Sequence, residues 1–575
     1  MIRLLSGVWS LALLAAATGA TAQDAGPVRS EADLPTVRFA TPVLPSQSYM
    51  SEAFLRDVLR PAAAEAQRIL ATRAVEDPVI LNLLRTGLAN IALIEGRGAE
   101  ALEWIRAQRA DETKPQLRQA GGLVREAVAA GLLAPAEERC EAAARQMTET
   151  LAAADPKAVR DEVVLRWGQV QTASPAYHAG TAALMFDDTA REQGSLGLRE
   201  AVMAANLRYE ATFIPPCRAE LSAALRGLID DPESLAEDIW TERDLAPETV
   251  VGDPVVVTVW EAGFDTTLFG SRMAADPAEP LDGLDNDGNG IIDDIWGPTF
   301  DYGLEPSDAP LPVLSRTLAS RLGLQTALEK GQQDLRFGLD TAEARFVAAR
   351  SQQASEQEQT LDVVVSGEWF GWAHGTWVAG LIADGAPWTR LSLLNLYPFH
   401  QDRPTAFEEA DAERFARRLQ DAAARLRGAN VRIVNISWGL NADAVAQLLL
   451  VSGAETDPER ARERGQAIAA TMRDAFDGLM AACPDILFVA AAGNTDQTTD
   501  IAGSIPQTLA RPNLLVVGAA GRSGQPTAFT SYGGGVRLYA LGEGVAVRAP
   551  GGQTMTASGT SFASPLTARA AAAML

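Results

Sequence analysis

Residues 559–565 read GTSFASP and run into LTARAAAAML at residues 566–575. Gly559 and Thr560 lead Ser561 into an alanine-rich stretch of helical period, so its hydroxyl is held at a helix N-terminus, a setting suited to a nucleophile. A serine alone is a weak nucleophile. It needs a base to take its proton and donors to hold the oxyanion that forms. Working back from residue 561, three stretches bear on that need: LFVAAAGN, closing at Asn494; HGTWVAGLIA, opening at His374; and VVTVWEAGFD at 256–265, which carries Glu261 and Asp265. The last begins as a β-branched, uninterrupted run, the pattern of a central parallel strand covered on both faces. His374 is one of three histidines, and the other two, His178 in SPAYHAG and His400 after YPF, read as surface or structural residues.

Taken in order, these four segments resemble those of the subtilisin-like serine proteases, the subtilases, and the resemblance spans residues 251–575. It implies a doubly wound, mostly parallel α/β sheet that hydrolyses peptide bonds. Ser561 would attack the carbonyl, His374 would relay the proton, and Asn494 with the Ser561 amide would hold the oxyanion. The end of VRIVNISWGL, Ser437, Trp438 and Gly439, matches the edge along which an extended peptide pairs. Trp438 stands where the family has leucine, which implies a narrower, more aromatic primary pocket; Ala373 and Trp377 also replace family residues beside the histidine. The family places an aspartate at the end of the first strand, and the register here puts Glu261 there. A glutamate does the same electrostatic work if its extra methylene is absorbed. Asp265 is the alternative carboxylate, and an impaired third member is the remaining possibility.

The chain has 575 residues, 47% hydrophobic and 21% charged, enough for more than one core. Its net charge of −25, with no basic stripe in the sequence, argues against a phosphate-binding surface, so nucleic acid is not an expected partner. Residues 1–22 read as a signal peptide: Arg3, a short apolar run, then Ala20, Thr21 and Ala22 as a cleavage site. The expectation is export, to the periplasm or the medium, with no membrane span after cleavage. Of three cysteines, Cys140 and Cys217 are the expected pair, and Cys483 reads as a buried small hydrophobe.

Residues 23–48 are an exposed lead-in, and 49–230 carry apolar residues at three-to-four spacing, an all-α domain with a faint tetratricopeptide-like hairpin. Such a domain is a solvated scaffold, a pro-region or a docking module for a protein partner. The acidic, proline-broken residues 231–250 read as a linker. Within the peptidase-like part, LDGLDNDGNGIIDDIWG puts Asp285, Asp287, Asn289 and Asp293 at positions one, three, five and nine of an EF-hand-like loop, with Gly290 at the tight turn. This predicts a structural Ca²⁺, with Trp296 where a full loop has glutamate and Asp282 or Asp294 as the substitute oxygen. An insertion over 302–360 reads as a solvated helical excursion or a lid over the cleft. Two functions follow: an exported serine endopeptidase acting on peptide or protein substrates, or a weak or inactive fold that binds peptides or partners.

Overall fold

The computed structural model describes residues 26–29, 33–241, 244, 249–286, 288–399, 405–499 and 503–575. The signal sequence and its cleavage site, Asp287 and His400 lie outside them. Two short strands, β1 (Arg38–Ala40) and β2 (Ser195–Gly197), pair antiparallel at one end of a helical region that runs to Ile229. Its helices start where the sequence supplies caps. Asp77, Asp155 and Ser174 each accept from the first-turn amides and precede a proline at the first helical position. Cys140 and Cys217 are joined as a disulfide across this region, and Cys483 is free and buried.

The second part is built on six parallel strands: β3 (Val255–Glu261), β4 (Thr389–Asn395), β5 (Val431–Ile436), β6 (Leu487–Ala491), β7 (Leu514–Ala520) and β8 (Val536–Leu541). They lie in the order β4-β3-β5-β6-β7-β8. Alternate side chains serve opposite faces. Val257, Val259, Ile433, Val489 and Val517 pack under helices Glu356–Ala383 and Thr560–Met574. Trp260, Val434, Ile436 and Phe488 pack under Glu409–Gly428 and Pro458–Ala482. With both faces covered, the sheet is doubly wound, as the unbroken apolar strands require. A hairpin of β9 (Val545–Arg548) and β10 (Thr554–Ala557) leads to the last helix.

Two stretches, the insertion and the linker, differ from their sequence reading. The insertion is not a free, solvated excursion. Helices Arg316–Arg336 and Ala342–Gln353 place Leu328, Leu335, Ala344 and Val347 in one apolar core with Val159, Val163, Trp167 and Leu221 of the helical region. A Cβ added at Gly168 would lie 2.6 Å from the Leu335 carbonyl oxygen, so the two helices touch backbone to backbone there. The helix bearing His374 starts at Glu356, eighteen residues before the histidine, because Ser355 and Glu358 form a reciprocal capping box at its N-terminus. The stretch read as a linker is tied down where it is described: Trp240 Nε1 donates to the Gly521 carbonyl at 2.8 Å, and the Ile239 amide to Arg522 O at 3.1 Å.

Candidate active site

Strand β3 ends at Glu261, and the helix Glu356–Ala383 passes that end so closely that a Cβ at Gly375 would lie 2.0 Å from the Gly263 carbonyl oxygen. Only glycine permits this approach, which sets His374, the preceding residue, over Glu261. Glu261 Oε2 lies 3.0 Å from His374 Nδ1. Both side chains are buried, Glu261 3% exposed and His374 9%. Glu261 Oε1 has no hydrogen-bond partner among the described residues. Phe370 and Trp377, one turn either side on the same helix, and Phe562 surround the imidazole, with ring centroids 5.2, 6.2 and 6.0 Å away.

Asp265, the alternative carboxylate, is engaged elsewhere. Its Oδ1 accepts from the Thr267 amide at 3.1 Å, its Oδ2 accepts from the Gly551 amide at 3.0 Å, and its own amide donates to Thr376 Oγ1. It caps a turn and ties the β9–β10 hairpin to the end of β3.

Ser561 occupies the first turn of helix Thr560–Met574, whose N-cap Gly559 offers no side chain. The Ser561 amide is therefore one of the orphan donors of a helix start. Pro565 lies one turn on and has no N–H, so it cannot close the usual bond to the Ser561 carbonyl. Ser437 Oγ donates to that carbonyl instead, at 3.0 Å. Asn435 Nδ2 and Ser564 Oγ, both 2.9 Å away, complete the surroundings of the Ser437 hydroxyl. In return Ser561 Oγ donates to the Ser437 carbonyl at 3.2 Å. The serine hydroxyl thus rests on the end of β5, with no bond to His374 among the described residues.

Asn494 follows β6. Its Oδ1 accepts from the Thr560 amide at 2.9 Å and from Thr560 Oγ1 at 3.0 Å. Thr560 Oγ1 itself accepts from the Gly493 amide. Because a backbone N–H only donates, Oδ1 must face Thr560, and the amide NH₂ must project on the other side. Thr560 is a site residue that the sequence reading passed over. Its signal was present, as the middle letter of GTS, but its use depends on a loop 66 residues away.

Residues 437–439 lie beyond the ladder of β5, as the peptide-edge reading expects of their backbone. The side chains behave differently. Trp438 does not line a pocket: it is 8% exposed and packs edge-on against Trp260, Tyr397, Phe415 and Phe476 at 5.3–6.3 Å. Gly439 sits against Gln507, whose Oε1 a Cβ would meet at 2.7 Å. His178 is buried rather than superficial, with Nε2 3.4 Å from Glu210 Oε2.

The acidic loop folds around its own amides. Asp285 Oδ1 accepts from the Gly288 and Asn289 amides at 2.8 and 3.1 Å, and Oδ2 from Gly290 at 2.8 Å. Asp293 accepts from the Asp282 and Gly283 amides. Asp294 Oδ1 pairs with Arg425 at 3.2 Å, while its Oδ2 accepts from Asn289 Nδ2 inside the loop at 3.0 Å. Among the described residues no three His, Cys, Asp or Glu side chains converge as a metal site. The donor set is nonetheless one of hard oxygens with spare lone pairs, and Gly290 has the positive φ, +91°, of the tight turn.

A sequence model described as "Subtilase family" matches residues 255–575, more than half of the chain. The subtilisin-like serine protease Pen ch 13 of Penicillium rubens is 35% identical over 111 residues, 19% of this chain and 26% of that protein. A subtilisin-like protease of Coccidioides posadasii is 40% identical over 75 residues, 13% of this chain and 18% of that one. The chain thus spans about a quarter or less of the length of these relatives. Among solved structures, a cold adapted subtilisin-like serine proteinase matches with a TM-score of 0.29 at 15% identity, covering 56% of this chain and 76% of that one. The PatG macrocyclase in complex with peptide matches with a TM-score of 0.33 at 16% identity, covering 59% and 83%.

The burial of Trp438 is directly testable. Trp438→Ala should lower the unfolding free energy by about 3–5 kcal/mol, the cost of emptying a core aromatic site. Denaturant midpoints check this, and an unchanged midpoint would put the ring outside the core.

Proposed function

The chain belongs to the subtilase family, and on that premise we propose that it is an exported serine endopeptidase. The observation that carries the reading is the contact of the Glu261 carboxylate with His374 Nδ1 in the same fold that fixes the Asn494 amide beside Ser561. In the proposed mechanism, Glu261 holds the imidazole with Nδ1 protonated, leaving Nε2 as the base for the Ser561 hydroxyl. On substrate binding the Ser561 O–H leaves the Ser437 carbonyl and turns to Nε2; such a bond commonly tightens only when substrate is present. Attack on the scissile carbonyl generates an oxyanion, which the Asn494 NH₂ and the Ser561 amide receive. His374 then gives its proton to the leaving amine, and water, deprotonated in the same way, releases the acyl group. The peptide lies extended along the backbone of residues 437–439. Specificity comes from neighbours other than the Trp438 ring.

Export is supported by the Cys140–Cys217 disulfide, since such bonds persist in oxidising compartments. No described helix is long and apolar enough to cross a membrane. The second reading, a peptide-binding module with little turnover, is favoured by one observation: the Ser561 hydroxyl is bonded to Ser437 rather than to His374. A fluorophosphonate probe separates the two. The full chain should be labelled at Ser561, and Ser561→Ala should abolish both labelling and peptide hydrolysis without lowering the melting temperature. A folded protein that takes no label would contradict the peptidase reading.

A calcium ion at Asp285, Asp287, Asn289 and Asp293 is the second part of the proposal. It would offset the repulsion of neighbouring carboxylates and brace the connection after β3; it takes no part in the chemistry. Added calcium at about a hundredfold over Kd should stabilise the chain by about 2.7 kcal/mol, seen as a raised Tm that a chelator reverses. A Tm indifferent to both would remove the metal.

A further inference from the structure

A cavity of about 720 Å³ lies between the helical region and the end of the sheet. On the sheet side it is lined by Asn494, Phe529 and Ser558, and on the other by Lys157 and His178 of the helical region and by Arg336, at the end of the insertion helix packed on it. Its lining includes neither Ser561 nor His374, so it flanks the site instead of covering it. The sheet order fixes the side. Residues 437–439 follow β5, Asn494 follows β6, and the cavity continues past the ends of β7 and β8 to Arg522 and Glu543. A peptide whose acyl part runs along 437–439 therefore sends its leaving part past Asn494 into this space.

The far wall is fixed in place. Gly168 meets Leu335 at backbone distance. Lys114 reaches across from the helical region to Asp496, two residues after Asn494, and donates to the Ala528 carbonyl at 2.6 Å. The wall's charge is opposite to that of the chain as a whole. Among the described residues Lys157 and Arg336 have no ion-pair partner, and both are exposed to the cavity's solvent. Arg160 spends its hydrogen bonds on neutral acceptors, Ile229 O and Ser234 Oγ. Arg522 is neutralised by Asp238. Of the anions, Glu210 faces His178 and accepts from Asn206 at 3.0 Å. Asp161 and Glu543 meet across the interface. Burial raises both carboxyls, and the charge of Asp161 pushes Glu543 further, so the pair carries less than its formal charge. His178, 3% exposed, backs this wall with Nε2 3.4 Å from Glu210 Oε2. The volume is that of a site for a small ligand or a short peptide segment.

We propose that this cavity is the leaving-group subsite of the peptidase, walled by the helical region, and that it takes a short C-terminal peptide segment with its free carboxylate toward Lys157 and Arg336. The inference rests on the serine-peptidase reading and deepens it: the helical region is part of the recognition apparatus, and among its substrates the peptidase favours those whose C-terminus lies a few residues beyond the cleaved bond.

The test uses the full chain and two peptides identical except that one ends in a carboxylate and the other in a carboxamide, each with a few residues beyond the cleaved bond. The carboxylate peptide should be favoured about tenfold or more in kcat/KM, and the preference should collapse toward unity in Lys157→Gln/Arg336→Gln, as expected for an interaction with a charge partner. Equal kcat/KM for the two peptides, or a preference that survives the double substitution, overturns the proposal. An ester substrate with no residues on the leaving side separates the two levels. Its hydrolysis together with fluorophosphonate labelling, but without carboxylate preference, removes the subsite and keeps the peptidase. Absence of both label and hydrolysis removes the reading and this inference with it.

Discussion

The bond between Glu261 Oε2 and His374 Nδ1, 3.0 Å long and almost shut off from solvent, is the constraint on which the site depends. A carboxylate buried at the end of a parallel strand is costly unless something offsets its desolvation, and the imidazole N–H is what this fold brings to it. The approach requires the helix backbone at Gly375 to touch the turn at Gly263, which in turn requires a residue without a side chain. One oxygen of the glutamate meets the histidine, and the other has no hydrogen-bond partner among the described residues.

A second constraint acts through what Pro565 cannot do. By removing one helical donor it frees the Ser561 carbonyl, and Ser437 from β5 takes its place. The helix start is thereby fastened to two strands at once, to β5 through Ser437 and to β6 through Thr560 and Asn494. The nucleophile candidate and the oxyanion donor candidate are positioned by one short segment, 559–565. Its glycine, threonine, second serine and proline each have a separate structural task.

Much of this was legible in the chain because it depends on local order. Unbroken β-branched runs gave the parallel strands, and the family resemblance, read onto the ends of those strands, pointed to Glu261 and Asn494. The Cys140–Cys217 pairing also emerged as read. What the sequence hid was direction and partnership. Nothing local says that Trp438 turns into the aromatic cluster around Trp260, since a tryptophan beside a strand end suits a pocket and a core equally. The helices of 316–353 are largely polar and looked solvated. Leu328, Leu335, Ala344 and Val347 reach burial against Val159, Val163 and Trp167, more than 150 residues earlier, and Leu318 against Trp369 and Phe562. His178 carries no local signal, because the cavity it lines is formed by distant segments.

The central claim is that Glu261, and not Asp265, is the carboxylate that serves His374. The most direct measurement compares kcat for Glu261→Gln and Asp265→Asn. The amide at 261 should favour the wrong imidazole tautomer and lower kcat by about 10³–10⁴-fold, with KM little changed. Asp265→Asn, which only loosens a capped turn, should cost far less. A large loss at 265 with near-normal turnover at 261 would contradict the account.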